Sequence, residues 1–356
     1  MQASGAFFVL LAISASLTSP CRSTTHWDPA TLGTHPHHHH SAKPHDACQF
    51  RDARPKYVVE CPIAEETVSA EATIVTAYMH VPSKTRSLDE FFGWIESFMQ
   101  LNASVVMYID VAYGHVFDEM PTNNRIVAIH TSMGNFKSTS CGMGLWKQQH
   151  SMDCPEQTNS PPLYAIWAEK TSLLYEAARA NCFNSTHLFW VDIGSFRTGT
   201  ENFPSMQPFP VPELLAQIEP GSMLWSALGR HILWDHWKHF MSDESNSSLY
   251  ALPFGQRWQT NACPANSVDG SAHGGDLEAI ATWYHAYYEM LDLYLEHGWF
   301  AGIDQDVFAS TCIKHSRLCH FHAADGWYDI QEIMLGRKQL VTWHPSYWGL
   351  PKTQED

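Results

Sequence analysis

The sequence predicts an α/β fold in which a central, mostly parallel sheet is flanked by helices and followed by a more irregular, mixed second half. Three observations carry this. Strand-like apolar runs alternate with helical periodicity from Ala72 to Asp192, the pattern of right-handed βαβ units. A long helical stretch follows the Gly274-Gly275 pair. The composition, 44% hydrophobic and 16% charged, supplies ample core and is not that of a disordered chain.

The residues before Ala72 divide in two. The apolar run from Ala6 to Leu17, about a dozen residues, has the length of a signal-peptide core and is too short to span a bilayer. Residues 1–19 are therefore expected to be a signal peptide or a short anchor. Residues 20–71 contain "THPHHHHSAKPHDAC" and are expected to be a His/Pro-rich low-complexity linker. A single domain is expected over 72–350, and no later stretch is long and apolar enough to be transmembrane.

Within that domain "ATIVTAYMHV" reads as the first strand. "SLDE" then starts a helix, with Ser87 as N-cap and Glu90 completing a capping box. Leu88, Phe91, Phe92, Ile95, Phe98 and Met99 recur at helical spacing as one apolar stripe. "SVVMYIDV" and "RIVAIHTS" are the second and third strands. After a loop holding Cys141 and Cys154, a helix from Leu163 to Ala180 leads into a strand that ends at Asp192. Further on, "SMLWSAL", "LCHFHA" and "LVTWH" read as late strands, and a shorter helix follows Asp304. "GGDLEAIATWYHAYYEMLDLYLEHG" is a helix, with Asp276 at its positive end, His297 in its last turn and Gly298 just beyond.

Charge and cysteine usage bound the function. A net charge of −16 is the wrong sign for a nucleic-acid partner, although the 22 histidines make this a statement about neutral pH. The nine cysteines lack paired CxxC spacing, so a zinc ribbon is a poor fit and disulfides in an oxidising compartment a good one. Close spacing suggests Cys48–Cys61, Cys141–Cys154 and Cys312–Cys319. Sequons at Asn102, Asn184 and Asn246 agree with passage through the secretory pathway.

The stretch "FWVDIGSFR" frames the functional question. An apolar strand ending on Asp192 places a carboxylate where ligands bind in open α/β sheets. A turn cap formed with Gly194 is the structural alternative. Four segments stand in order: "IVTAYMHV", the W-x-E-K helix joined to "WVDIGSFR", the Gly-Gly helix joined to "GIDQD", and a His/Trp-rich tail. Together, from Thr73 to His344, they resemble the glycosyltransferase-like HtrL/YibB-type family.

That resemblance implies a GT-A-like fold and transfer of a sugar from a nucleotide-sugar donor to a glycan or glycoprotein acceptor; the signal-like run, cysteines and sequons place the expected activity in the lumen of the ER or Golgi, or after secretion. Asp192 would hold a divalent cation, Mn2+ or Mg2+, at the donor diphosphate. The typical Asp-x-Asp is here Asp-Ile-Gly, so His344 is the expected second ligand. Lys170 and Arg197 would face the diphosphate and Gly194 would clear space for it. Lys170 could instead pair with Glu169 or Glu176, and Arg197 with Asp192. Thr76, Tyr78 and Asp110 would contact the nucleotide, with turn capping as the alternative for Asp110.

Gly274 and Gly275 would let the helix N-terminus approach the donor or acceptor sugar. Asp304 is the expected base or sugar-orienting residue, with Gln305 and Asp306 beside it. Both aspartates also suit a first helical turn. A non-catalytic secreted carbohydrate-binding protein is the alternative function. Trp225, Trp234, Trp237 and Trp258 are candidates for sugar stacking in either case, and core packing is the competing role.

Overall fold

A computed structural model of the chain describes residues 49–62, 69–81, 87–153, 159–197, 207–242 and 267–344. Eight strands form one sheet: β1 (Ala72–Tyr78), β2 (Ser104–Asp110), β3 (Arg125–Thr131), β4 (His187–Val191), β5 (Met223–Ala227), β6 (Val268–Asp276), β7 (Cys319–Ala323) and β8 (Thr342–Trp343). The helices are α1 (Leu88–Met99), α2 (Gly114–Asp118), α3 (Met143–His150), α4 (Pro161–Ala180), α5 (Pro212–Leu215), α6 (Arg230–Ser242), α7 (Leu277–Glu296), α8 (Asp304–Lys314) and α9 (Asp329–Met334).

The strand order is β3-β2-β1-β4-β6-β5-β7-β8. The β3-β2-β1-β4 half is parallel throughout. β6 runs antiparallel to both of its neighbours, and β8 runs antiparallel to β7. This is the expected α/β class, a mostly parallel sheet with a mixed second half. From β1 the chain goes outward through β2 and β3, then returns to place β4 on the other side of β1. The order therefore reverses between β1 and β4, and the carboxyl ends of those strands are where a doubly wound sheet opens a crevice.

The local signals behaved as their physics predicts. Ser87 accepts from the Glu90 N–H while the Glu90 carboxylate accepts from the Ser87 N–H, the reciprocal capping box. Asp276 caps α7 by accepting from Ala279 N–H, and Gly298 beyond its end has φ +67°. Hydrophobic side chains pack on both faces of the sheet, Val75, Tyr108 and Trp190 on one, Ile74, Val105 and Phe189 on the other.

One central strand escaped the sequence reading. "VDGSAHGGD" has the composition of a loop, yet it forms β6, in the middle of the sheet. Its glycines explain how. A Cβ on Gly274 would lie 2.2 Å from Leu188 O, and one on Gly275 would lie 2.5 Å from Ser222 O. Only a strand stripped of side chains at these positions fits between β4 and β5 at this spacing.

Part of the segment read as linker also belongs to this body. Phe50 is fully buried, and Asp292 on α7 accepts the N–H groups of Phe50 and Arg51. Cys61 is bonded to Cys182, which replaces the expected Cys48–Cys61 pair; Cys48 lies outside the described residues. The expected Cys312–Cys319 bond is present. Cys141 is disulfide-bonded, and its expected partner Cys154 lies outside the described residues, as do Asn246 and Trp258. Bonds of this kind fit an oxidising compartment. Among the described residues no helix is long and apolar enough to cross a membrane.

The packing at Gly274 makes a direct prediction. Gly274→Ala must push β4 and β6 apart and is expected to lower stability by at least about 2 kcal/mol. Urea denaturation checks this, and a variant as stable as the parent would contradict the strand pairing.

Candidate active site

The carboxyl ends of β1 and β4 open into a cleft of about 610 Å³, within the range of small-molecule sites. Tyr78 and His80 line it from the end of β1, and Asp192, Gly194, Ser195 and Arg197 from the turn after β4. Phe91 and Trp94 reach it from α1, Trp167 and Lys170 from α4, and Tyr328 from the segment before α9.

The floor is built around a buried ammonium group. Helical spacing puts Leu163, Ile166, Trp167 and Lys170 on one face of α4, so Lys170 projects below the apolar wall made by the others. Its Nζ lies 3.1 Å from Asp192 Oδ1, 3.1 Å from Asp304 Oδ2 and 3.0 Å from the carbonyl oxygen of Gly270. Two carboxylates and one carbonyl thus surround the ammonium, which hydrogen-bonds Asp192 and the Gly270 carbonyl and pairs by charge with Asp304. Burial works against the charge, but the carboxylates of Asp192 and Asp304 outweigh it and raise the Lys170 pKa.

The two carboxylates are not equivalent. The Asp304 side chain is 2% exposed and the Asp192 side chain 37%. Burial lifts the Asp304 pKa to about 6, Lys170 opposes the rise, and the charge of Asp192 adds to it. Gly270 permits the arrangement, because a Cβ there would stand 3.1 Å from Asp304 Oδ2. Asp192 is held by Trp190, whose Nε1–H donates to Oδ1 at 2.7 Å. Trp190 on β4 and Asp192 just beyond its end are two residues apart, so their side chains share a face. The partly exposed Asp192 carboxylate thus meets the cleft from a fixed position, with both of its oxygens within 3.4 Å of the ammonium.

The predicted residues separate into those the cleft gathers and those it does not. Tyr78, Lys170, Asp192, Gly194 and Arg197 line it together. Lys170 pairs with neither Glu169 nor Glu176. Glu169 turns to the opposite side and accepts from Tyr57 OH and from the N–H groups of Lys137 and Ser138, while Glu176 pairs with Arg179. Arg197 does not pair with Asp192; its Nε donates to Gly194 O, and its guanidinium lies 4.4 Å from the Trp94 ring centre and 5.3 Å from that of Tyr328. Gly194 makes room for Trp94, whose ring a Cβ would meet at 3.3 Å.

Thr76 is fully buried inside β1, and Asp110 caps its own turn by accepting from the Ala112 N–H while its other oxygen accepts from the N–H of His80, beyond the end of β1. Gly274 and Gly275 lie in β6 opposite Phe189 and Leu188, and α7 starts only after them, at Leu277. At ~3.3 Å per residue the pair sits roughly 10–13 Å along the sheet from Asp192. They are packing residues, because β6 is antiparallel and carries them away from the cleft. Asp304, Gln305 and Asp306 form the first turn of α8, and none of them lines the cleft. Lys170 stands between Asp304 and the cleft, so Asp304 has no direct reach to an acceptor hydroxyl.

His344 follows β8, four strand positions from β4 in the sheet, and its ring lies against Trp237. At ~4.8 Å per strand that is roughly 19 Å from β4, too far to share a cation with Asp192. Trp225 is fully buried against His273, Trp283 and Phe308.

The cation implied by the resemblance therefore meets a donor set that does not suit it. Asp192 Oδ1 already receives the Lys170 ammonium and the Trp190 N–H. Its other oxygen lies 3.4 Å from the same ammonium, which repels a dication. Among the described residues no group of three or more His, Cys, Asp or Glu side chains could hold a metal ion. The point between the carboxylates is taken by a lysine.

The sequence reading missed His80, Trp94, Trp167, Trp190 and Tyr328. Three of these carried a legible signal: Trp94 stands three residues after Phe91, Trp167 three before Lys170, and Trp190 two before Asp192. Tyr328 carried none.

Comparison with known proteins adds little. No protein-family model matches the chain, and no curated protein matches it. Among solved structures, core-mannan synthase A (CmsA/Ktr4) from Aspergillus fumigatus, in a Mn/GDP form, is similar at 13% identity and a TM-score of 0.39, covering 83% of this chain and 81% of that one. At that score the likeness carries no argument, and the α/β class stands on the strand order itself.

The buried ion pairs predict a pH-dependent cost. Lys170→Met strands Asp304 beside Asp192 and is expected to destabilise by about 3 kcal/mol at pH 7. The loss shrinks toward pH 5, where Asp304, no longer held down by the ammonium, is protonated. Asp304→Asn tests the complementary sign. A carboxyl raised from 3.8 to about 6 contributes stability that is complete below its unfolded value and lost as pH rises through about 6. Urea titrations between pH 4 and 7 should show the parent losing stability relative to Asp304→Asn as pH rises; parallel curves would refute the assignment.

Proposed function

We propose that the cleft is the donor site of a glycosyltransferase that moves a sugar from a nucleotide-sugar to a glycan or glycoprotein acceptor in the secretory pathway. The observation that carries the proposal is Asp192. It is a partly exposed carboxylate at the carboxyl end of β4, at the reversal of strand order, on the floor of a cleft walled by Tyr78, Phe91, Trp94 and Trp167. Aromatic walls stack on sugar and base rings, and a fixed carboxylate on the floor accepts hydrogen bonds from hydroxyls.

The chain's own residues divide the work. Trp190 and Lys170 orient Asp192, and Asp304 orients Lys170. The partly exposed carboxylate of Asp192 accepts the proton of an acceptor hydroxyl as that hydroxyl attacks the anomeric carbon. The leaving diphosphate gains charge as the glycosidic bond breaks, and the exposed Arg197 at the rim is the cation that meets it. Lys170, fully engaged with Asp192, Asp304 and Gly270, sets the field beneath and is not the diphosphate ligand.

A non-catalytic carbohydrate-binding protein is the second reading, favoured by the complete internal pairing of Lys170 and by the aromatic lining. Thermal shift with a panel of nucleotide-sugars, followed by release of free nucleoside diphosphate in the presence of acceptor glycans, separates the two. Donor binding and release that persist in EDTA are expected. Asp192→Asn, which keeps an acceptor for Trp190 and Lys170, should reduce turnover at least about a hundredfold, the size of a lost general base. Glycan binding with no nucleotide-sugar binding would favour the second reading.

A further inference from the structure

Tyr328 is a tyrosine with φ +69° and ψ +13°, in the left-handed region that bulky side chains avoid. Strain of this kind persists only where the surroundings enforce it, and it clusters at ligand-binding positions. The enforcing group is Asp269, at the start of β6 and fully buried. Its Oδ2 accepts the Tyr328 N–H at 3.1 Å, and its Oδ1 accepts the Ser271 N–H at 2.8 Å. A second tie comes from the next residue, since the Asp329 carboxylate accepts from the N–H of Asp325 and from Lys338 Nζ. The loop is thus closed on both sides of the strained residue. The Tyr328 ring lines the cleft, on the Arg197 side and beside the turn that carries Asp192.

We infer that Tyr328 is a ligand-stacking residue held in place by Asp269, and that with Trp94 and Arg197 it forms a subsite for a ring bearing an anionic group. The guanidinium lies 4.4 Å and 5.3 Å from the two ring centres and its Nε donates to Gly194 O, so a phosphate oxygen would meet its terminal nitrogens while a base or sugar ring lies against Tyr328. Asp269 touches no ligand and is a positioning residue. The inference deepens the donor-site reading and rests on it for the identity of the anionic group.

Tyr328→Gly separates this role from a structural one. Glycine adopts the left-handed conformation without cost, so the substitution removes the strain together with the ring. The melting temperature of the full chain is expected to be no lower than the parent's, while the Kd for the nucleoside diphosphate that binds the parent rises about tenfold, the scale of one lost base stack. Tyr328→Phe keeps the ring and should keep the affinity. Asp269→Asn should weaken binding in the parent and have no further effect on Kd in Tyr328→Gly, because it acts through that ring.

An unchanged Kd for Tyr328→Gly overturns the inference, and so does a melting temperature several degrees lower, which would mark a folding role. If the parent binds glycans and no nucleotide, a Tyr328→Gly loss measured with those glycans keeps the stacking residue and discards the donor reading. Nucleotide binding that is indifferent to Tyr328 does the reverse. A parent that binds neither class overturns both.

Discussion

The cleft depends on one buried ammonium. Lys170 Nζ ties α4 to the end of β4 through Asp192, to β6 through the Gly270 carbonyl, and to the start of α8 through Asp304. A lone ammonium removed from water is heavily penalised, and so is a lone carboxylate. Each element therefore brings the group that makes its neighbour's burial tolerable, and none can shift without exposing a charge to an apolar surround. That mutual requirement fixes where β4 stops and which way Asp192 points.

The same constraint explains the glycines. Asp304 reaches Lys170 only by passing Gly270, where a Cβ would approach its carboxylate to 3.1 Å. Further along β6, Gly274 and Gly275 admit the close neighbours Leu188, Phe189 and Ser222. The glycines thus serve two ends of one strand for different reasons: near its start Gly270 lets a buried carboxylate approach, and at its end Gly274 and Gly275 let two strands close on it. Reading the Gly-Gly pair as a ligand-contacting turn joined the correct residue type to the incorrect end of the strand.

What was legible in the chain follows the reach of each signal. Capping, periodicity and strand runs are local, and they located β1 to β4, α1, α4 and α7. β6 was not legible, because its composition is set by the neighbours that crowd it and not by strand propensity; the partners that make it a strand lie far away in sequence. The site divides in the same way. Asp192, Lys170 and Arg197 sit in motifs dense enough to draw notice, whereas Tyr328 stands in "GWYDI", where only the backbone conformation and the distant Asp269 single it out. His344 failed for a topological reason: a late histidine can reach the cleft only if its strand returns toward β4, and β8 is instead added at the outer edge beside β7.

Charge is arranged in two tiers, and the division has a consequence for ligand choice. On the floor, two carboxylates face one ammonium, a group that carries net negative charge while Asp304 is ionised and becomes neutral when it is protonated. An anion placed directly against this floor gains little from a lysine whose charge is already met by two carboxylates. At the rim Arg197 is exposed and lies against the rings of Trp94 and Tyr328, and among the described residues no carboxylate pairs with it. On the proposed reading, hydroxyls would sit at the floor and phosphate at the rim, and a ligand that carries both, a sugar at one end and a charged, ring-bearing group at the other, would be oriented by that polarity.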